Sequence, residues 1–193
     1  MPKKTTILIV ILAIITGFLI YLAIKSDNAQ TNVYKTQAEI TPTPTIQPYT
    51  TFSFSPPQLD MTNSSAAQSV DVTIDTAGKP VSTAQIEFLY DPKVITKVSF
   101  AKAKTPFFGV DQNVLIDKID PTQGRASYVV GIPLQGAEKI GNGTVVSLKF
   151  TVVKVAEMAT STISFTSKSA ATTLSTQKPI LQNTTPLTII LRK

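Results

Sequence analysis

The chain has 193 residues, no histidine, cysteine or tryptophan, and a formal charge of +6. Those absences exclude Ser-His-Asp and Cys-His nucleophile systems, His or Cys zinc sites, histidine-ligated haem and disulfides, and no cofactor is expected. Nor does the charge mark a nucleic-acid binder. Lys3, Lys4 and Lys25 flank one apolar run and leave +3 for everything else, and the other lysines are scattered rather than clustered with arginine and stacking aromatics.

Thr5 through Ile24 carries no charge. Twenty helical residues span about 30 Å, the thickness of a hydrocarbon core, and backbone groups in lipid have to be paired within the segment. The run therefore reads as a transmembrane signal anchor. A cleaved signal peptide is the competing reading. Against it, the run is longer than the usual apolar core of roughly 7–15 residues, and neither Leu22-Ala23-Ile24-Lys25 nor Asp27-Asn28-Ala29 makes a good cleavage site. Lys3, Lys4 and the terminal amine place the N-terminus in the cytoplasm and the rest outside. Ser26 to Pro48 is polar, with Thr41-Pro42-Thr43-Pro44-Thr45 and Pro48 favouring extended polyproline II. The expected organisation is an anchor over residues 1–25, a Thr/Pro-rich linker over 26–48 and a folded domain over 49–193.

From Tyr49 onward, short alternating runs recur with turn signals between them. Thr51–Ser55 is a short strand stopped by Pro56-Pro57. In Gln68–Asp75, Val70, Val72 and Ile74 alternate with polar residues. Ala77-Gly78-Lys79-Pro80 turns the chain into Thr83–Tyr90, where Ala84, Ile86, Phe88 and Tyr90 share one face. Asp91-Pro92 closes that strand, because proline pushes Asp91 out of the helical region and the aspartate can accept from amides just downstream. Val94–Phe100 follows. Val114–Ile119 and Arg125–Ile132 flank the turn Asp120-Pro121-Thr122-Gln123-Gly124. Thr144–Val155, Thr162–Thr166 and Leu187–Leu191 complete the set, with a further short strand near Ala170–Leu174. Many short strands with regular turns and no sustained helical period mean an all-β sandwich.

These pieces resemble the cohesin family, the β-sandwich modules that receive dockerins. Thr51-Phe52-Ser53-Phe54-Ser55-Pro56 resembles the opening strand and Val70–Asp75 the second. Ile86–Val94 carries the family's Tyr-Asp-Pro core, and Pro121–Tyr128 is similar to its turn and following strand. Gly143–Val152 and Ile163-Ser164-Phe165 resemble two later strands. The resemblance covers Phe52 to Leu191 and implies a nine-strand jelly-roll sandwich without catalytic activity. It also implies that the partner, a dockerin-like or other cell-surface protein, binds one sheet face through outward residues of the third, fifth, sixth and eighth strands. Alternation then assigns that face to Thr83, Gln85, Glu87 and Leu89, to Arg125, Ser127 and Val129, and to Ser147 and Lys149. Cellulosomal cohesins often carry an Asn and an Asp where this chain has Thr83 and Gln85. Leu89 and Val129 are apolar where water is expected, which suits a contact patch.

Other constellations are weaker. Asp111, Asp117 and Asp120 lack the spacing of a calcium loop, and Asp120 before Pro121 reads as a turn residue, so no metal site is expected. Glu87 with Glu138 or Glu157 is a formal carboxylate pair with nothing else to suggest catalysis. Phe107-Phe108 reads as a plug at one end of the sandwich or as an exposed anchor. The alternative function is a carbohydrate-binding module acting on polysaccharide, against which stand the absence of tryptophan and the inward direction of Tyr90 and Tyr128.

Overall fold

Strand β1 (Thr50–Ser55) buries Phe52 and Phe54 and turns Ser53 and Ser55 outward, and the same period-2 rule recurs in most of the longer strands after it. The computed structural model describes residues 14–22, 47–62, 66–153, 158–176 and 178–192. After β1 come β2 (Gln58–Thr62), β3 (Ala67–Asp75), β4 (Thr83–Leu89), β5 (Ile95–Ala101) and β6 (Asn113–Asp120). Then follow β7 (Arg125–Gly131), β8 (Asn142–Val152), β9 (Ala159–Phe165), β10 (Ala170–Thr172), β11 (Leu181–Thr185) and β12 (Leu187–Arg192). One sheet runs β11-β1-β3-β8-β5; the other runs β2-β12-β9-β4-β7-β6, with β10 beside β4.

The expected nine strands are thus twelve among the described residues. Leaving out the short β2, β10 and β11 recovers nine, and β10 falls where Ala170–Leu174 suggested a strand. Neither β2 nor β11 was legible. Both lie at sheet edges, pair in parallel with a terminal strand, and keep most of their side chains at least partly exposed, so they show no strong apolar alternation. The chain changes sheets at Pro56-Pro57 between β1 and β2, and again at Pro186 between β11 and β12.

Strands β3 and β4, adjacent in sequence, do not pair; the turn after Asp75 carries the chain from one sheet to the other. In that turn Ala77 and Gly78 adopt positive φ, and Asp75 Oδ1 accepts from the Ala77 amide at 2.9 Å. The Tyr-Asp-Pro corner behaves as the sequence predicts. Asp91 Oδ1 accepts from the Lys93 amide at 2.9 Å, and the Asp91 carbonyl accepts from Ile95 at 2.8 Å. The β6–β7 hairpin locks onto the same corner: the Tyr90 amide donates to the Gly124 carbonyl at 2.8 Å. A Cβ on Gly124 would lie 2.1 Å from the Tyr90 carbonyl oxygen, so only glycine fits there.

Between the sheets, rings from alternating layers interlock. Phe54 meets Phe88 at 5.9 Å, Phe88 meets Phe100 at 5.7 Å, and Phe100 meets Tyr128 at 4.9 Å. Phe108 is buried and Phe107 packs partly buried against the core, so the pair is the plug.

The chain divides into units Met1–Thr45 and Ile46–Lys193. In the first, residues 14–22 are helical; the other residues of the Thr5–Ile24 run, and the linker before residue 47, lie outside the described residues. No helix among the described residues is long and apolar enough to cross a membrane.

Candidate binding face

The expected face splits between the two sheets. Thr83, Gln85, Glu87 and Leu89 on β4 pair in register with Gly131, Val129, Ser127 and Arg125 on β7, so these residues share the outer face of one sheet. Ser147 and Lys149 lie on β8, in the opposite sheet, where their cross-strand partners are Asp71 and Ser69 of β3. They cannot join the β4–β7 face. Alternation within a strand says which residues share a side but not which sheet the strand enters. With β2 set aside, the eighth strand is β9, next to β4, and its Thr160, Thr162 and Ser164 are exposed there. The contiguous face is therefore β9-β4-β7-β6.

Strand β6 adds residues that the alternation argument missed. Lys118 pairs with Ser127 and Ile116 with Val129. Counting back from the Asp120–Gly124 hairpin would have found them. Asp120 itself is a turn residue, its Oδ1 accepting from the Thr122 and Gln123 amides at 3.0 Å each.

Exposure on this face differs from the expectation at two positions. Leu89 is 43% exposed, as a contact residue should be, but Val129 is only 9% exposed, flanked in register by Gln85 and Ile116. Glu87 is buried, its side chain 10% exposed. The cause is the turn between β9 and β10, which rises over β4 opposite Glu87. Ser169 Oγ donates to the Glu87 carbonyl at 2.8 Å, which also accepts from the Thr166 amide at 2.8 Å, and the same Oγ accepts from the Glu87 amide at 3.1 Å in place of a backbone partner. Thr166 Oγ1 donates to Glu87 Oε1 at 3.0 Å and Ser127 Oγ to Oε2 at 3.3 Å. Gln85 Nε2 donates to the Lys168 carbonyl at 2.9 Å. Both Glu87 oxygens are thus occupied by hydroxyls, which is how a buried carboxylate is tolerated.

Arg125 lies beside this group, its Nε 3.8 Å from Glu87 Oε1, too far for a hydrogen bond. A shallow pocket of about 290 Å³ opens there, lined by Glu87, Lys118, Asp120, Gln123, Arg125 and Ser127. A larger groove of about 400 Å³ runs from the 166–169 turn to β11, lined by Phe165, Pro179, Leu181 and neutral polar residues. No group of three potential metal ligands occurs among the described residues. Of the carboxylates weighed for catalysis, Glu138 accepts from the Leu174 amide at 2.6 Å, and Glu157 lies outside the described residues. Tyr90 and Tyr128 point into the core; burial, then the charges of Asp120 and Asp117 respectively, push both phenols up.

No family model and no curated protein matches this sequence. Solved structures do. A type I cohesin–dockerin complex from Clostridium thermocellum matches at a TM-score of 0.62 and 12% identity, over 77% of this chain and 97% of that one. The solution structure of a cohesin from Clostridium acetobutylicum matches at 0.60 and 18%, over 76% and 92%. A non-cellulosomal cohesin from the archaeon Archaeoglobus fulgidus matches at 0.55 and 10%, over 75% and 92%. With two sheets in this order, and these structures covered almost end to end, the chain has the cohesin fold.

Proposed function

We propose that the protein is a non-catalytic, membrane-anchored, extracytoplasmic module that receives a dockerin-like protein on the outer face of β9, β4, β7 and β6. The observation that carries this reading is the face itself. Four adjacent strands present exposed Leu89 and Ile116 beside Gln85, Glu87 and Ser127, whose side chains are hydrogen-bonded within the domain, an apolar patch that loses little when water leaves it. Solved proteins of the same fold have been captured with dockerins, which supports the partner class. The anchor rests on the uncharged Thr5–Ile24 run behind Lys3 and Lys4, and the Thr/Pro stretch before Pro48 is the spacer. Direct polysaccharide binding is disfavoured because the buried rings of Tyr90 and Tyr128 give a sugar nothing to stack on.

The test is capture of partner protein from a cell-envelope extract by the full chain in detergent micelles, with and without a calcium chelator. Leu89→Trp, which raises bulk above the face without changing charge, should abolish capture; Lys149→Trp, on the opposite sheet, should not. The reverse pattern would sink the assignment of the face. Protease added outside spheroplasts should release the domain, and a mature chain starting after Ala23 or Ala29 would refute the anchor.

A further inference from the structure

Within this proposed face, the charges are not disposed evenly. Its carboxylates line the pocket but are engaged: Glu87 is buried with both oxygens hydrogen-bonded, and half-buried Asp120 has Oδ1 tied to its own turn amides. Its cations stand outward. Lys118 is exposed on β6, and Lys168 is exposed on the turn that covers β4. Arg125 lies between them, with its side chain 39% exposed. The Arg125 guanidinium makes no hydrogen bond among the described residues, and its Nε is buried without an acceptor. The exposed remainder of the guanidinium is likewise without an acceptor, so a partner carboxylate reaching it would displace only water. A guanidinium fork beside a lysine matches a carboxylate better than any neutral group.

We infer that the pocket between β4, β7 and β6 is a socket for a partner carboxylate, held by Arg125 and Lys118, so that the cognate partner presents an acidic surface. The inference rests on the β9-β4-β7-β6 face being the docking surface. Arg125 supplies the planar fork, and Lys118 supplies a second charge from the neighbouring strand. Leu89, opposite Arg125 on β4, gives the apolar shoulder against which the partner's chain would lie. Cations at the rim also draw an acidic partner in from a distance, so association should slow with added salt.

The probe is an acetylated tetraglutamate peptide, with tetralysine as its counterpart, titrated into the isotopically labelled full chain in neutral detergent micelles and followed by NMR. The expected result is saturable movement of the Arg125 Nε–H signal and of the Lys118 and Ser127 amides with tetraglutamate, and none with tetralysine. Arg125→Gln combined with Lys118→Gln should weaken that binding about tenfold or more. Equal movement of the Lys149 amide on the opposite sheet, or an unmoved Arg125 signal, would overturn the socket. If Leu89→Trp blocks partner capture while Arg125 ignores tetraglutamate, the socket fails and the docking face stands. If Arg125 responds but Leu89→Trp captures partner normally, the docking face fails, and with it the role of the socket in partner binding.

Discussion

The outer faces of the two sheets are built from the same alternation but finish their hydrogen bonding differently. On the five-stranded sheet the polar side chains satisfy one another across strands. Ser147 Oγ donates to Asp71 Oδ1 at 2.6 Å, Thr144 Oγ1 reaches Asp71 Oδ2 at 3.4 Å, and the Ser53 and Thr73 hydroxyls meet at 2.8 Å. On the β9-β4-β7-β6 face a carboxylate is buried by a distant turn, an arginine Nε is left without an acceptor, and Leu89 stands in solvent. Cross-strand satisfaction marks a solvated wall, and its local failure marks a place where something else is meant to sit.

The comparison breaks most easily at the core beneath both faces. Phe88→Ala removes a fully buried ring that touches Phe54 and Phe100 from the other sheet, and should cost about 3–5 kcal/mol in denaturant melts. Gln85→Ala, on the other side of the same strand, should stay within about 0.5 kcal/mol. Equal losses would mean that β4 is out of register.

Glu87→Ala tests whether the outer face of β4 is as inert as its position suggests. It leaves the Ser127 and Thr166 hydroxyls without their acceptor and should cost about 1–3 kcal/mol, whereas Ser147→Ala on the opposite face should cost less. A Glu87→Ala variant as stable as wild type would show that the 166–169 turn does not depend on the carboxylate.

Because the natural chain has no tryptophan, Leu89→Trp and Lys149→Trp each place a single fluorophore on one face. Both should fold with stability changes within about 0.5 kcal/mol. Partner captured by the Lys149→Trp variant should leave the emission of its fluorophore unchanged; a shift there would place the partner on the five-stranded sheet.

The smallest effect is at the sheet margin, where Arg192 on β12 grips Asp60 on β2 through Nε and Nη2 at 2.7 and 2.6 Å. The hydrogen bonds from Arg192 hold the Asp60 carboxyl below its ordinary value, so the clip is present at neutral pH and is lost as pH falls through that lowered value. Protection of the β2 amides, that is, their exchange relative to the intrinsic rate at each pH, should fall on acidification and on adding salt, and Arg192→Ala should remove that change in protection.

The sequence by itself determined the long strands and their inward residues. Where one sheet side is buried, every second side chain has to be apolar, and Phe52/Phe54, Val70/Val72/Ile74 and Ala84/Ile86/Phe88 carry that signature without help from elsewhere. The Asp75, Asp91 and Asp120 turns were legible for a similarly local reason, since each side chain bonds to amides within three residues. Tertiary structure alone decided what depends on distant neighbours. Strand β8 entered the sheet opposite β4 and took Ser147 and Lys149 with it. The edge strands β2 and β11 formed because β12 and β1 offered open edges, and a turn some eighty residues downstream buried Glu87. Alternation encodes which side of a strand faces the core; only the packed sheets settle which strands lie side by side, and a binding face is made of that adjacency.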